Sequence, residues 1–410
     1  MITLREYERL KYSRLGDLGA KQLEHVTEHL GIPLFRFFRE EAQAQQYVGV
    51  IGTGEHTIQI LPKIGERDDQ NLAYLIFLLS YTRRLSLKPT GKATFEELSG
   101  SFLEIWIRYF AAELNKLLRR RLTHRYVEVE ERPSFLRGKL LVERELAGTG
   151  KLYGRYACRY DIFTPDHPLN RVLKFCNWLL IRQTQVSANR RLLQENDALL
   201  SDATYRPVRM SDLERIQLNR LNRDYEPILE LCRLLLESST LNLRTGRIAQ
   251  FAFVFDMNRL FEEFVAEFLR RHKNQIRLGD GHLVKVAYQR RLGRLFGEFN
   301  MDADLVLTDD AGRSFLVDTK YKVLDPNQRH MGISQADFYQ MYAYGSAGKR
   351  RYDDIILLYP ASEVAQRTFH QGEMRLHVRQ FNPRNLYNSE DRGLNETKVL
   401  DELSRALSIA

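Results

Sequence analysis

The stretch from Met301 to Lys320 constrains this chain more than any other: Met301-Asp-Ala-Asp304-Leu-Val-Leu, then Thr308-Asp-Asp-Ala-Gly-Arg, then Ser314-Phe-Leu-Val-Asp318-Thr-Lys320. Two apolar runs flank a segment of turn-forming residues, which predicts strands over Met301–Leu307 and Ser314–Tyr321 in one hairpin. Side chains alternate faces along a strand, so Asp302 and Asp304 share a face, as do Asp318 and Lys320. If the two faces coincide, two carboxylates and an ammonium converge at one end of the hairpin. A solvated face is the ordinary alternative for an Asp-x-Lys pair. Here Phe315-Leu-Val precedes Asp318 and predicts an interior strand, where charges are costly unless paired or metal-bound.

That constellation suits a hard cation. Carboxylate oxygens are the ligands Mg²⁺ prefers, and a lysine beside them can orient or help deprotonate water. The metal would also neutralise charge building on a phosphate. Two flanking helices add candidates. Leu260-Phe-Glu262-Glu263-Phe264-Val265, within a predicted helix Met257–Arg271, sets an acid pair on an otherwise apolar surface. Glu262 is a further metal candidate, with a solvated helix edge as the equal alternative. Gln340-Met-Tyr-Ala-Tyr344 places Gln340 and Tyr344 four apart on one helix face, over about Ser334–Tyr344. Core packing is the alternative for Tyr344.

The remainder reads as three regions. Residues 1–100 look β-rich, with a hairpin in YVGVIGTGEHTIQILPKI, followed by a buried helix Leu72–Tyr81 and a break at Lys88-Pro-Thr-Gly. Residues 101–245 form a helical middle, with helices over Ser101–Leu122, Leu169–Gln183, Arg190–Leu200 and Pro227–Glu237. A second, protruding hairpin is expected over 138–160, with a small, basic tip at Gly148, Gly150 and Lys151 flanked by Arg144, Arg155 and Arg159. An ordinary surface hairpin, its glycines serving only the turn, is the alternative. Residues 246–410 add strands Leu283–Tyr288, Asp354–Tyr359 and Leu376–Phe381 to the central hairpin, which makes an α/β domain with a mixed sheet.

Composition narrows the classes further. The 410 residues carry 62 Lys+Arg against 53 Asp+Glu, a net charge of +9, compatible with a polyanionic partner such as DNA. Three scattered cysteines with no CxxC argue against a disulfide framework or zinc ribbon and for a reducing compartment. The first residues lack the apolar core of a signal peptide, and Leu72–Leu79 is far short of the ~20 residues of a membrane span. A cytoplasmic protein with no membrane partner is expected.

Acid, hairpin, Asp318-Thr-Lys320 and a helix with Gln-x-x-x-Tyr together resemble the PD-(D/E)xK nuclease superfamily, in its RecB-like branch. More narrowly the chain resembles the McrC family, the nuclease subunit of McrBC-type restriction systems. Ile58-Gln-Ile-Leu-Pro-Lys-Ile64, Leu169-Asn-Arg-Val-Leu-Lys174, Leu260–Val265 and Val317-Asp-Thr-Lys-Tyr-Lys322 carry that likeness across most of the chain. It implies a C-terminal restriction-endonuclease-like domain and Mg²⁺-dependent cleavage of foreign DNA, with methylation of the target left open. It also implies metal ligation by Asp304 and Asp318, catalysis by Lys320, and support from Gln340, Tyr344 and Asp302. The departure is at the first acid: the superfamily has Pro-Asp, whereas this chain has Met301-Asp-Ala-Asp304. Alignment on Leu305-Val-Leu307 favours Asp304 over Asp302 as the ligand.

McrBC-type systems use GTP, yet the chain holds no GxxxxGK[ST]: Gly91-Lys92, Gly138-Lys139, Gly150-Lys151 and Gly348-Lys349 all lack the distal glycine or the Ser/Thr. The resemblance therefore implies a partner that binds the nucleotide, a hexameric McrB-like AAA+ GTPase ring. Residues before about 250 would dock on that ring, and the 138–160 hairpin would plug it and stimulate hydrolysis. Two other readings stand beside this one: a non-catalytic basic scaffold that activates the ring, and a stand-alone nuclease.

Overall fold

The computed structural model describes residues 1–52, 56–82, 101–146, 154–237, 239–242, 247–296, 298–325, 327–346, 352–361, 366–382, 387–388, 393–394 and 396–409. The expected Lys88 break, the 52–56 turn for the most part, the Gly348-Lys349 pair and the hairpin tip lie outside them. The chain divides into two compact units. One joins residues 1–102 to 252–410, and the other is 103–251. The first and third regions of the sequence thus share a unit. Among the described residues no helix is long and apolar enough to cross a membrane.

In the first unit, β1 (Ile2–Arg5), β2 (Arg9–Lys11), α1 (Gly16–Leu30), β3 (Phe35–Phe37), β4 (Glu41–Ala44), β5 (Tyr47–Gly52), β6 (Thr57–Leu61) and α2 (Asp68–Tyr81) follow in order. The expected hairpin is β5–β6, paired antiparallel from Gly49↔Ile60 to Gly52↔Thr57. Gly49 has φ +133°, and a Cβ there would stand 1.9 Å from the Phe253 carbonyl oxygen, so only glycine fits. Among these strands stands helix α1, which the sequence reading did not anticipate: Leu23 and Val26 turn inward, while Gly16 and Gly19 at its start hide the helical period. Helix α2 is apolar nearly all round and buried accordingly.

The second unit carries most of α3 (Phe102–Arg120), then β7 (Arg125–Glu131), β8 (Lys139–Leu140), α4 (Val142–Leu146), β9 (Cys158–Thr164), α5 (Pro168–Gln183), α6 (Ser187–Leu199), α7 (Met210–Glu214), α8 (Glu226–Glu237), β10 (Ser239–Asn242) and the first half of β11 (Arg247–Asp256). The predicted 138–160 hairpin is corrected here. Its first arm contributes only Lys139↔Arg159 and Leu140↔Cys158. The long partner of β9 is β7, in register from Arg125↔Thr164 to Glu131↔Cys158. The cause is local preference: Val142-Glu-Arg-Glu-Leu favours a helical turn, whereas Tyr126-Val-Glu-Val suits a strand. Gly148, Gly150 and Lys151 lie outside the described residues, and Arg155 is exposed.

The first unit resumes with α9 (Met257–His272), β12 (Arg277–Leu278), β13 (Gly281–Leu295), β14 (Phe299–Asp309), β15 (Ser314–Thr319), α10 (Gln335–Ser346), β16 (Asp354–Pro360), β17 (Arg367–Gln371), β18 (Met374–Phe381) and α11 (Glu396–Leu407). Seven strands form one mixed sheet, in the order β12-β13-β14-β15-β16-β18-β17. The β15–β16 and β16–β18 pairs are parallel and the rest antiparallel. Met341 of α10 joins a core with Val306, Leu316, Ile355, Leu357 and Val378. Leu305, Leu307 and Val317, pointing the other way along their strands, are also fully buried. Burial on both faces explains why these strands read as continuous apolar runs.

Candidate active site

The site lies where β14 and β15 reach the end of their pairing. The register runs from Thr308↔Ser314 to Leu305↔Val317, so one step further Asp304 stands opposite Asp318. The two carboxylates share the face that carries Val306 and Leu316 behind them. Asp318 is 1% exposed. Two residues on, Lys320 sets its Nζ 2.8 Å from Asp318 Oδ2. The same ammonium donates to Gln340 Oε1 at 3.0 Å, and Gln340 Nε2 donates to the Tyr344 hydroxyl at 2.9 Å. Helical spacing of four thus aims one side chain of α10 at the lysine and uses the next to hold it.

Thr319, which sequence reasoning passed over, fixes the other acid. Its backbone N–H and its hydroxyl both donate to Asp304 Oδ2, at 2.8 and 2.9 Å. Nothing in the Asp-Thr-Lys spelling reveals this, because it depends on which residue the neighbouring strand sets alongside. Gln289 is a second such residue. It lies on β13 with φ +46° and donates to Glu262 Oε1 at 3.4 Å.

The electrostatics follow from burial and crowding. Burial raises the Asp318 carboxyl to about 7, the Asp304 charge adds to it, and Lys320 opposes both. Burial also raises Asp304, against the hydrogen bonds from Thr319 and the charge of Lys320. Glu262 on α9 is lifted to about 7, by burial first and then by Asp304, so it senses the same centre. Burial pulls Lys320 down, but Asp318 and Asp304 outweigh it and hold the ammonium charged beyond its ordinary range.

The structure therefore brings Asp304, Asp318, Lys320, Gln340 and Tyr344 together, with Glu262 within electrostatic reach. Asp302 stands apart: it is exposed and makes a bidentate pair with Arg291 of β13, at 2.9 and 3.2 Å. Glu263 likewise turns away, paired with Arg259 at 3.1 Å. Among the described residues no three His, Cys, Asp or Glu side chains are gathered as a metal cage.

A mixed α/β chain with two crowded carboxylates and a tethered lysine at the end of interior strands is the class of protein so defined. The comparisons place it more narrowly. The family model described as "McrBC 5-methylcytosine restriction system component" matches residues 42–360, a span holding every site residue above. The chain belongs to that family. A chain of the "refined half-complex from tetradecameric assembly of Thermococcus gammatolerans McrB AAA+ hexamers with bound McrC" is similar over 99% of both chains, with a TM-score of 0.71 and 20% identity. A chain of the Thermococcus gammatolerans McrBC complex is similar over 66% of this chain and 87% of its own, with a TM-score of 0.51 and 24% identity. At these identities the likeness is one of fold. No curated protein matches the chain.

Proposed function

We propose that this chain is the Mg²⁺-dependent DNA endonuclease subunit of a McrBC-like, GTP-dependent restriction complex, with residues 246–410 as its PD-(D/E)xK nuclease domain. One observation carries the reading: Asp304 opposite Asp318, with Lys320 bonded to Asp318 and to Gln340. Two buried carboxylates crowded together, with one lysine and the Thr319 hydrogen bonds between them, form a donor set that a hard cation would relieve further. Mg²⁺ commonly takes only one or two protein carboxylates, with waters and substrate phosphate completing its shell. Asp304 and Asp318 fit that role, while Glu262 stands within electrostatic influence of Asp304. When bound, the ion supplies charge neutralisation at the scissile phosphate.

The chain's own residues do the positioning. Thr319 locks the Asp304 carboxylate. Gln340 and Tyr344 fix Lys320, whose ammonium orients the attacking water and steadies charge on the phosphate. The solved Thermococcus assembly holds McrB AAA+ hexamers with McrC bound. That likeness supports docking on an AAA+ GTPase ring that binds the nucleotide; we assign the docking to residues before about 250, with the segment holding Gly148, Gly150, Lys151 and Arg155 contributing.

A second reading, a non-catalytic activator of the ring, draws on the lack of a three-ligand cage among the described residues. Asp318→Ala separates the two. With the partner, GTP and Mg²⁺ present, the variant is expected to stimulate GTP hydrolysis like the wild type. Its DNA cleavage should fall by at least about a hundredfold. Wild-type protein that stimulates hydrolysis without ever cutting DNA would establish the activator instead.

A further inference from the structure

The second unit holds a cavity of about 210 Å³ at the start of α5. That is below the ~300–1,000 Å³ of drug-sized sites, so any occupant is small. Arg125, Arg206 and Arg215 line it, and none of the three makes an ion pair among the described residues. His124 is in the wall too, its Nδ1 bonded to the Leu122 carbonyl at 3.1 Å. A fourth guanidinium, Arg171, is already neutralised by Asp166 at 2.6 Å. One acid, Asp212, lines the cavity, and its Oδ2 is engaged by the Arg209 N–H at 3.0 Å.

Helix geometry adds to this surplus. The 16-residue α5 starts at Pro168 in the cavity wall, and its N-cap, His167, makes no side-chain cap bond. Pro168 brings no N–H, and the His167 and Arg171 N–H groups are spent on the Pro165 and His167 carbonyls, so what the helix start adds to this space is the positive end of its dipole. Burial lowers the pKa of His167, its hydrogen bond with the Thr123 backbone opposes this, and the nearby Arg125, His124 and Arg171 lower it further. Three exposed arginines line one small concavity, and the single acid in its wall, Asp212, is already engaged. Guanidinium forks match the oxygens of phosphate in a bidentate way.

We propose that this cavity is a phosphate-binding site, taking a phosphate oxyanion between Arg125, Arg206 and Arg215 at the N-terminus of α5. The shared chemistry has two sources, free inorganic phosphate and the terminal phosphate of a nucleic-acid strand. All the residues lie within 103–251, so the proposal is independent of the nuclease centre.

Isothermal titration of the full chain at constant ionic strength tests it. Inorganic phosphate is expected to bind at one saturable site that chloride does not compete for. Arg206→Ala should weaken binding about tenfold, and Arg206→Ala with Arg215→Ala about a hundredfold. Both residues are exposed, so folding should be unaffected, which circular dichroism checks. Arg220→Ala, exposed and outside the cavity, should bind phosphate like the wild type. A 5′-phosphorylated tetranucleotide that outcompetes both inorganic phosphate and its 5′-hydroxyl counterpart would identify a strand end as the source. Equal or tighter binding of inorganic phosphate would identify the free ion. Wild-type affinity in the double variant, equal loss in Arg220→Ala, or equal displacement by chloride would overturn the proposal.

Discussion

In the proposed mechanism Lys320 handles the water. Its ammonium is bonded to Asp318 at 2.8 Å and to Gln340 at 3.0 Å, and the two acids keep it charged. Lys320→Ala should retain DNA binding and lose at least about a hundredfold in turnover, as removal of a positioned charged group does. Lys320→Arg should recover little, because a planar guanidinium neither fits the same two contacts nor gives up a proton readily. Near wild-type cutting by the arginine variant would remove lysine from the water-handling role. A different buried acid reports on the fold rather than on catalysis. Glu6 is 4% exposed, and burial lifts its carboxyl to about 7, with Lys63 opposing. A raised pKa means the neutral acid is the form the fold prefers. Glu6 therefore adds stability below its unfolded pKa of about 4.3, and that contribution is lost as pH rises towards 7. Glu6→Gln should match the wild type at low pH and exceed it by on the order of 2 kcal/mol at about pH 8. Urea denaturation at about pH 5 and pH 8 decides the matter, and an identical difference at both would contradict it.

At the scale of elements, α9 supports the Asp318-bearing strand through Phe261. Its ring is fully buried, 5.7 Å from Tyr321 just beyond β15 and 5.7 Å from Phe381 of β18. Phe261→Ala should cost about 3–5 kcal/mol, read by chemical denaturation, because the cavity cannot close between two fixed partners. Cleavage should fall as well, since Glu262 rides on the same turn. The strands β14 and β15 were legible in sequence because apolar runs are separated there by an unmistakable turn. The lysine, glutamine and tyrosine were legible because their spacing matches the period of a strand or a helix. What sequence could not supply was register. Asp302 and Asp304 share a strand face on paper, but pairing sets Arg291 against Asp302 and leaves it at the surface. The same pairing sets Gln289 beside the centre. Thr319 was invisible for this reason too. The 138–160 hairpin failed differently. Alternation in its first arm was a helical turn, and the true partner strand, β7, lay upstream among charged residues.

At the scale of the whole molecule, the paired carboxylates sit in a chain whose sequence holds no GxxxxGK[ST]. The purified chain should neither bind nor hydrolyse GTP or ATP, and should cut DNA only with its GTPase partner. Robust cutting that needs no nucleotide would favour a stand-alone nuclease. Asp304 and Asp318 are the paired carboxylates of the proposed nuclease, and Asp302 is not one of them. Cleavage rates of Asp304→Asn and Asp302→Asn, measured side by side with the partner, GTP and Mg²⁺, test it most directly. Asp304→Asn should lose at least about a hundredfold, while Asp302→Asn, which breaks only an exposed ion pair worth about 0–1 kcal/mol, should stay within a few-fold of wild type. Full activity in Asp304→Asn, or loss in Asp302→Asn alone, would contradict the account.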